Sequence, residues 1–494
     1  MSPVLKVLAL DLGAESGRAV LGKFDDESLS LEEVHRFPNE PVRIPGGLHW
    51  DVLRLFHEMK RGLALAIQKY GKDLGGLGVD TWGVDFGLLG RGDVLLGNPY
   101  HYRDRRTDGM PDEVFKIVSR DEIFHRTGIQ FMQINTIFQL WAMKRSRSPL
   151  LEVAETLLMM PDLFNFLFTG RKASEFTIAT TSQLYDPVAG GWSRAIIDAL
   201  GLPGHIFTDI IPPGTIIGTL EPRVAREVGT GEIPVIAPAG HDTACAVAAV
   251  PAQQGDYVYI SSGTWSLVGV EVSRPVINEL TLALNFTNEG GVAGTFRLLK
   301  NVTGLWLVQQ CRRAWERAGE ALNYDQITDM ARQARPLASI IDPDCDRFLN
   351  PEDMPSEIQR YCEETGQPVP RTRGEIVRCA LDSLALKYRW VVEKLEAILE
   401  RRLPVIHIVG GGTKNTLLCQ LTASATGRPV IAGPVEATAI GNSVMQAVAL
   451  GYLKSIAEAR NIVRRSFPLR TYDPVAAEQG AWDDAYERFL RLCH

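Results

Sequence analysis

At 494 residues the chain exceeds what one hydrophobic core usually supports, so two domains are expected, residues 1–250 and 251–494. Hydrophobic residues make up 45% and charged residues 22%, the proportions of an ordinary globular protein that needs neither disulfides nor metals to hold its core. A formal net charge of −7, with only short basic runs such as Lys144–Arg145 and Arg401–Arg402, argues against nucleic acid or an anionic membrane as the main partner.

Taken in chain order, Val4–Phe24 reads as two strands joined by a tight polar turn, because VLKVLAL is nearly all apolar before DLGAESGR and AVLGKF continues beyond it. A helix is predicted over Asp51–Tyr70, where Val52, Phe56, Met59, Leu63 and Ile67 share a face, with Asp51 to cap its start and Gly71 its end. A short buried strand then ends in DTWGVDF (Asp80–Phe86). This alternation indicates an α/β domain. Near residue 250 the pattern restarts: Gly255–Val272 is again strand, glycine-bearing turn, strand, and Gly13 and Gly263 occupy equivalent places. A long amphipathic helix is predicted over Gly374–Arg401, then the strand VIHIV into three glycines, a helix closed by Gly427, the strand RPVIAGP and the helix EATAIGNSVMQAVALG.

No run approaches the ~20 apolar residues of a membrane span, and the N-terminus enters a strand at once without a cleavable signal pattern. Seven cysteines, from Cys245 to Cys493, show no CxxC pair and no metal-ligand spacing, which reads as reduced thiols in the cytoplasm.

Several segments carry possible chemistry. The turn Asp11–Arg18 offers small residues whose backbone N–H groups can close around phosphate, and Asp11 can hold a hydrated Mg²⁺; a plain polar β-turn is the competing reading. SSGTWS (Ser261–Ser266) offers the same chemistry in the second half. VGGGTKN (Val409–Asn415) has glycines enough for an adenine or ribose to lie against the backbone, yet matches neither GxxxxGK[ST] nor GxGxxG. In APAGHDTACA (Ala237–Ala246) an acid sits among small apolar residues, so Asp242 is a candidate general base, with helix capping as the alternative. Trp82 in DTWGVDF suits either sugar stacking or core packing; Asn301 in KNVTGLW suits hydroxyl binding.

Together these segments resemble the FGGY carbohydrate kinases: DLGAESGR, DTWGVDF, MPDLFNFLFTG, GHDTACA, SSGTWS, VGGG and EATAIGN occur in that order from about residue 7 to 445. Within the family, VDTWGVDF, YRDRRTDG, GIQFMQINT, FTNEGG, RLLKN and AGPVEAT resemble the branch acting on L-rhamnulose. The resemblance implies two RNase H-like lobes of the actin/hexokinase type around a central cleft, and transfer of the γ-phosphate of ATP, with Mg²⁺, to the 1-hydroxyl of that ketose. It implies Asp242 as base; Asp11, Ala14, Glu15, Ser16, Gly17, Arg18, Thr264, Gln309 and Gly411 on the nucleotide side, with Asp11 toward the metal; and Gly83, His241, Asp242, Thr243 and Asn301 on the sugar. A monomer or homodimer is expected. Two departures from the family pattern, Met132-Gln133-Ile134 and Gly240, would shift the ketose preference if they line the sugar site. The competing readings are a sibling kinase for L-fuculose, D-xylulose or L-ribulose, and a catalytically silent binder of the same fold, against which Asp11, Asp242 and both phosphate turns speak.

Overall fold

A computed structural model describes residues 4–492 apart from 26, 254 and 350. The chain opens with β1 (Leu5–Leu12), β2 (Ser16–Phe24) and β3 (Leu29–Pro38), followed by α1 (Val52–Tyr70) and β4 (Gly76–Thr81). Further on come α2 (Phe176–Thr180), β5 (Thr215–Thr219), β6 (Pro234–Ala237) and α3 (Asp242–Ala248). The remaining principal elements are β7 (Tyr257–Ser262), β8 (Trp265–Val272), β9 (Thr287–Gly290), β10 (Phe296–Thr303), α4 (Trp306–Arg317), α5 (Arg373–Leu399), β11 (Val405–Val409), α6 (Thr416–Thr426), β12 (Val430–Ala432), α7 (Ala437–Ala449) and β13 (Arg470–Tyr472).

The chain divides into two compact units. The first comprises Met1–Pro251, Glu271–Leu298 and Ala437–Ser466; the second comprises Ala252–Val270, Leu299–Glu436 and Phe467–His494.

The first unit is built on a six-stranded sheet of order β5-β6-β4-β1-β2-β3. β1 pairs antiparallel with β2 and parallel with β4, which places Asp11 opposite Arg18 on one side and Asp80 on the other. Being central, β1 buries its last six residues on both faces, as its unbroken apolar run requires. Helix α1 starts where the sequence indicates: the Asp51 side chain accepts from the Arg54 N–H, and Val52, Met59, Leu63 and Ile67 are buried. Helix α7 packs on β1 and β4 and against α3. A Cβ on Gly441 would overlap the backbone carbonyl of Cys245, so only glycine lets α7 approach α3 this closely.

The other large sheet has seven strands in the order β9-β10-β8-β7-β11-β12-β13; β7, β11, β12 and β13 belong to the second unit, β9 to the first, and β8 and β10 run across the boundaries at residues 270/271 and 298/299. Its β7 pairs antiparallel with β8 and parallel with β11, and β11 parallel with β12. The same antiparallel-then-parallel order surrounds β1, so the weak repeat in the sequence is a repeat of topology. Helix α5 begins with a capping box between Thr372 and Glu375, and all but a few residues from Gly374 to Val392 are buried, more than a one-sided amphipathic helix would bury.

Cys245, Cys311, Cys345, Cys362, Cys379 and Cys419 are free thiols; Cys493 lies outside the described residues. Among the described residues no helix is long and apolar enough to cross a membrane.

Candidate active site

The first unit gathers one set of candidate residues at the C-terminal ends of β1, β4 and β6. The turn after β1 is closed by the Gly13 N–H donating to Ser16 O at 3.0 Å, and Asn39 clamps it, its side-chain amide donating to Gly13 O at 2.8 Å and its backbone N–H to Glu15 O at 3.1 Å. Ala14 is half-buried, Glu15 is exposed and Ser16 is half-buried. Gly17 is buried, and a side chain there would strike the Phe37 ring. The Arg18 guanidinium forms an ion pair with Asp11, whose side chain is 6% exposed. On β4, Asp80 is fully buried; its Oδ2 accepts from the Asn442 amide at 2.7 Å, while Oδ1 has no hydrogen-bond partner. Burial and the neighbouring Asp11 push the Asp80 carboxyl well above the ordinary carboxylate range.

The loop before α3 is set by the adjacent strand and helix. Thr81 N–H donates to Gly240 O at 2.9 Å, the Gly240 N–H donates to Glu175 Oε2 at 2.8 Å, and the His241 N–H donates to Thr177 Oγ1 at 3.2 Å. Glu175 also caps α2, so one buried carboxylate fixes both segments. A Cβ at position 240 would meet Glu175, Pro161 and Ile178 at 2.9–3.1 Å, so the glycine there answers to interior packing.

Asp242 is the first residue of α3, and the capping position is His241, whose side chain makes no capping bond. The Thr243 N–H and hydroxyl donate to Asp242 Oδ1 at 2.5 and 3.1 Å, and His241 Nε2 lies 3.4 Å from the same oxygen. Among the described residues nothing bonds to Asp242 Oδ2, and the side chain keeps 30% exposure. Desolvation raises the Asp242 carboxyl above its ordinary range, against the lowering effect of the hydrogen bonds from Thr243. A carboxylate with one oxygen held and the other open, and with a raised proton affinity, is equipped to accept a proton.

Gly83 follows β4, and a Cβ there would press on Thr181 at 3.3 Å. Trp82 takes the packing role: it is 5% exposed, its ring lies 4.1 Å from that of Trp50, and its Nε1 donates to Asp85 Oδ2 at 3.0 Å. Asp85 also accepts from Trp50 Nε1 at 2.6 Å and from Gln139 Nε2 at 2.9 Å. Met132, Gln133 and Ile134 are each half-buried, and Ile134 packs against the hydrophobic core.

The second unit gathers the others about the β7–β8 turn. Leu305 N–H donates to Gly263 O at 3.1 Å and Trp306 N–H to Thr264 O at 3.0 Å, which docks the start of α4 on the turn. One turn into α4, Gln309 presents a buried Oε1 with no hydrogen-bond partner among the described residues. After β11, Gly410 has φ +88°, and its Cβ would lie 3.0 Å from Ser262 O; Gly412 is pressed on the Ser262 side chain. Gly411 differs, since a Cβ there would meet nothing within 4 Å. Asn301 stands half-buried on β10. Thr264, Gln309 and Gly411 are thus collected by one turn in the second unit, and Asp11–Arg18, His241, Asp242 and Thr243 by one sheet end in the first.

Among the described residues there is no group of three or more His, Cys, Asp or Glu side chains able to hold a metal alone. Magnesium usually takes one or two carboxylates and fills its shell with phosphate and water, and the near-buried Asp11 beside the glycine turn fits that kind of donor set. The orphaned Gln309 Oε1 and the open side of Gly411 fit a polar ligand with a flat face.

Glu289, Arg297, Glu175 and Asn442 were not individually legible as site residues, whereas Asp80 stood among the acids of DTWGVDF. Their partners lie far away in sequence, Asn442 meeting Asp80 over 362 residues, and the local signal was the pair of charged residues, Arg297 and Lys300, in the otherwise largely apolar β10.

Comparison with known proteins gives a consistent result. The family model for the N-terminal domain of the FGGY family of carbohydrate kinases matches residues 6–249, and that for the C-terminal domain matches residues 258–450. The chain is 47% identical over 481 residues to a rhamnulokinase of Bacteroides thetaiotaomicron, covering 97% of this chain and 98% of the relative. It is 44% identical to a rhamnulokinase of Oceanobacillus iheyensis, covering 95% and 99% of the two chains. In fold it is similar to a ligand-bound xylulose kinase of Lactobacillus acidophilus, with a TM-score of 0.81, 15% identity and coverage of 99% and 97%. A Plasmodium falciparum glycerol kinase with ADP gives a TM-score of 0.79, 14% identity and coverage of 99% and 98%.

Proposed function

Because this chain belongs to the FGGY family of carbohydrate kinases, we propose that it transfers the γ-phosphate of ATP to the 1-hydroxyl of L-rhamnulose, giving L-rhamnulose 1-phosphate and ADP. The observation that carries the substrate is the 47% identity, over nearly the whole of both chains, to a relative named rhamnulokinase. In this reading residues 1–250 form the sugar lobe and 251–494 the nucleotide lobe, with residues 271–298 and 437–466 grouped with the first compact unit, and the protein works in the cytoplasm as a monomer or homodimer.

Asp242 accepts the proton of the sugar hydroxyl on its open Oδ2 as the hydroxyl oxygen bonds to the γ-phosphorus and the bond from that phosphorus to ADP breaks. Thr243 holds Oδ1 of the same carboxylate, so the base does not rotate away. His241 and Thr243, with Gly83 and Asn301, orient the sugar. The turn Ala14–Arg18, Thr264, Gln309 and Gly411 receive ATP. Asp11 is the carboxylate that would hold magnesium, which when bound neutralises phosphate charge.

The test is a coupled ADP-release assay with Mg²⁺-ATP across L-rhamnulose, L-fuculose, D-xylulose, L-ribulose and glycerol. Strong preference for L-rhamnulose is the expected result. Preference for another ketose would overturn the substrate and keep the kinase; no turnover on any of them would overturn both.

A further inference from the structure

Resting on the kinase reading above, we propose that Arg297 and Glu289 are positioning residues that hold His241 as its neutral Nε2–H tautomer, presenting that N–H to the carboxylate of Asp242. The two residues come from β9 and β10, and neither has a part in the mechanism described so far.

Arg297 is fully buried, an arrangement that is costly unless charge and hydrogen bonds compensate. Its Nη2 donates to Glu289 Oε2 at 3.1 Å and its Nε to Gly290 O at 2.8 Å. The same Nη2 lies 3.0 Å from His241 Nδ1. A guanidinium has donors only, so the histidine nitrogen facing it must be the acceptor; a proton there would set donor against donor. Nδ1 therefore carries the lone pair and Nε2 the proton. Nε2 is the nitrogen 3.4 Å from Asp242 Oδ1. Glu289 Oε2 stands 3.4 Å from Nδ1, two acceptors bridged by the guanidinium between them.

The charged and titratable groups around the imidazole are thus Asp242, Glu289 and Arg297, and the Thr177 hydroxyl meets its backbone N–H. Fixing the neutral tautomer has a chemical consequence. An imidazolium beside Asp242 would stabilise the carboxylate and weaken it as a base, whereas a neutral N–H orients the carboxylate with far less loss of basicity. Arg297 fixes the tautomer by presenting only donors to Nδ1, and Glu289 pairs with the buried guanidinium.

The test joins histidine side-chain ¹⁵N–¹H NMR with steady-state kinetics. The His241 signal is assigned by its loss in His241→Gln. The expected results are an Nε2–H His241 in the wild type, and kcat lowered roughly 10–100-fold in Glu289→Gln and Arg297→Met, the usual cost of losing such an outer partner, with KM for ATP unchanged. Arg297→Lys, whose ammonium still donates to Nδ1, is expected to recover much of the loss. An Nδ1–H or doubly protonated His241 in the wild type at neutral pH would overturn the proposal, as would unaltered kcat in Glu289→Gln and Arg297→Met. If Arg297→Met does not fold, Arg297→Lys and Glu289→Gln decide by the same criteria. An Nε2–H His241 in an enzyme that turns over no ketose would support the tautomer assignment while overturning the kinase reading.

Discussion

The backbone N–H of Thr243 donates to Oδ1 of Asp242 at 2.5 Å, so the residue that follows the candidate base also holds it still. Asparagine at position 242 keeps an oxygen for that bond but has no basic oxygen to take a proton. Asp242→Asn is therefore expected to fold and to bind ATP as the wild type does, with kcat lowered by roughly 10²–10⁴-fold, the usual contribution of a general base. Steady-state kinetics with nucleotide binding measured separately checks this, and near-normal turnover would remove Asp242 from the proton transfer.

The pH dependence follows from the direction of the Asp242 shift. Burial raises its carboxyl above the ordinary value of about 4. A base works only when ionised, so activity falls as the pH drops through the raised pKa. The acid limb of kcat against pH is expected above the ordinary carboxylate range, and an acid limb below about 4 would contradict the assignment.

The glycines after β11 divide into two roles. At Gly411 a side chain meets nothing within 4 Å, so Gly411→Val should fold normally and raise KM for ATP more than KM for the sugar. At Gly412 it would press on Ser262, so Gly412→Val should lower stability by about 1–3 kcal/mol through overpacking. Thermal unfolding and KM values for both variants distinguish these outcomes; unchanged ATP affinity in Gly411→Val would dislodge the nucleotide from that position.

Asp85 tests the buried anchor beneath the sugar-side loop. In Asp85→Asn the amide nitrogen would face the donor Gln139 Nε2, which Arg106 fixes by donating to Gln139 Oε1 at 2.6 Å. A loss of about 1–3 kcal/mol is expected from the unpaired buried donor. Burial raises the Asp85 pKa to about 6. The folded state therefore keeps the proton between about pH 4 and that value, where the unfolded chain has lost it, and the contribution of Asp85 to stability falls as the pH rises through this window. Urea unfolding should show wild type losing more stability than Asp85→Asn between these limits; parallel curves would refute the shift.

Local pattern made much of this protein legible. The α1 helix, its Asp51 cap, the two strand–turn–strand units and the helix of residues 373–399 all follow from periodicity and end signals that neighbouring residues carry. Asp242 was legible because an acid among small apolar residues is costly without a task. Trp82 was open between sugar and core, since a strand-end indole suits both; the Asp85 acceptor and the Trp50 ring decide for the core.

The sequence by itself determined the kinds of element, the turns offered to phosphate, the candidate base and the family, because each is written in contiguous residues. Only the tertiary structure decided that residues 437–466 belong to the same compact unit as β1, that Asn442 meets Asp80, and that Arg297 and Glu289 enclose His241. Those partners lie 362, 56 and 48 residues apart, and a bond between distant segments leaves no local period to read. It exists because burying a charge or an amide leaves it only the partners that the packed sheet brings within reach.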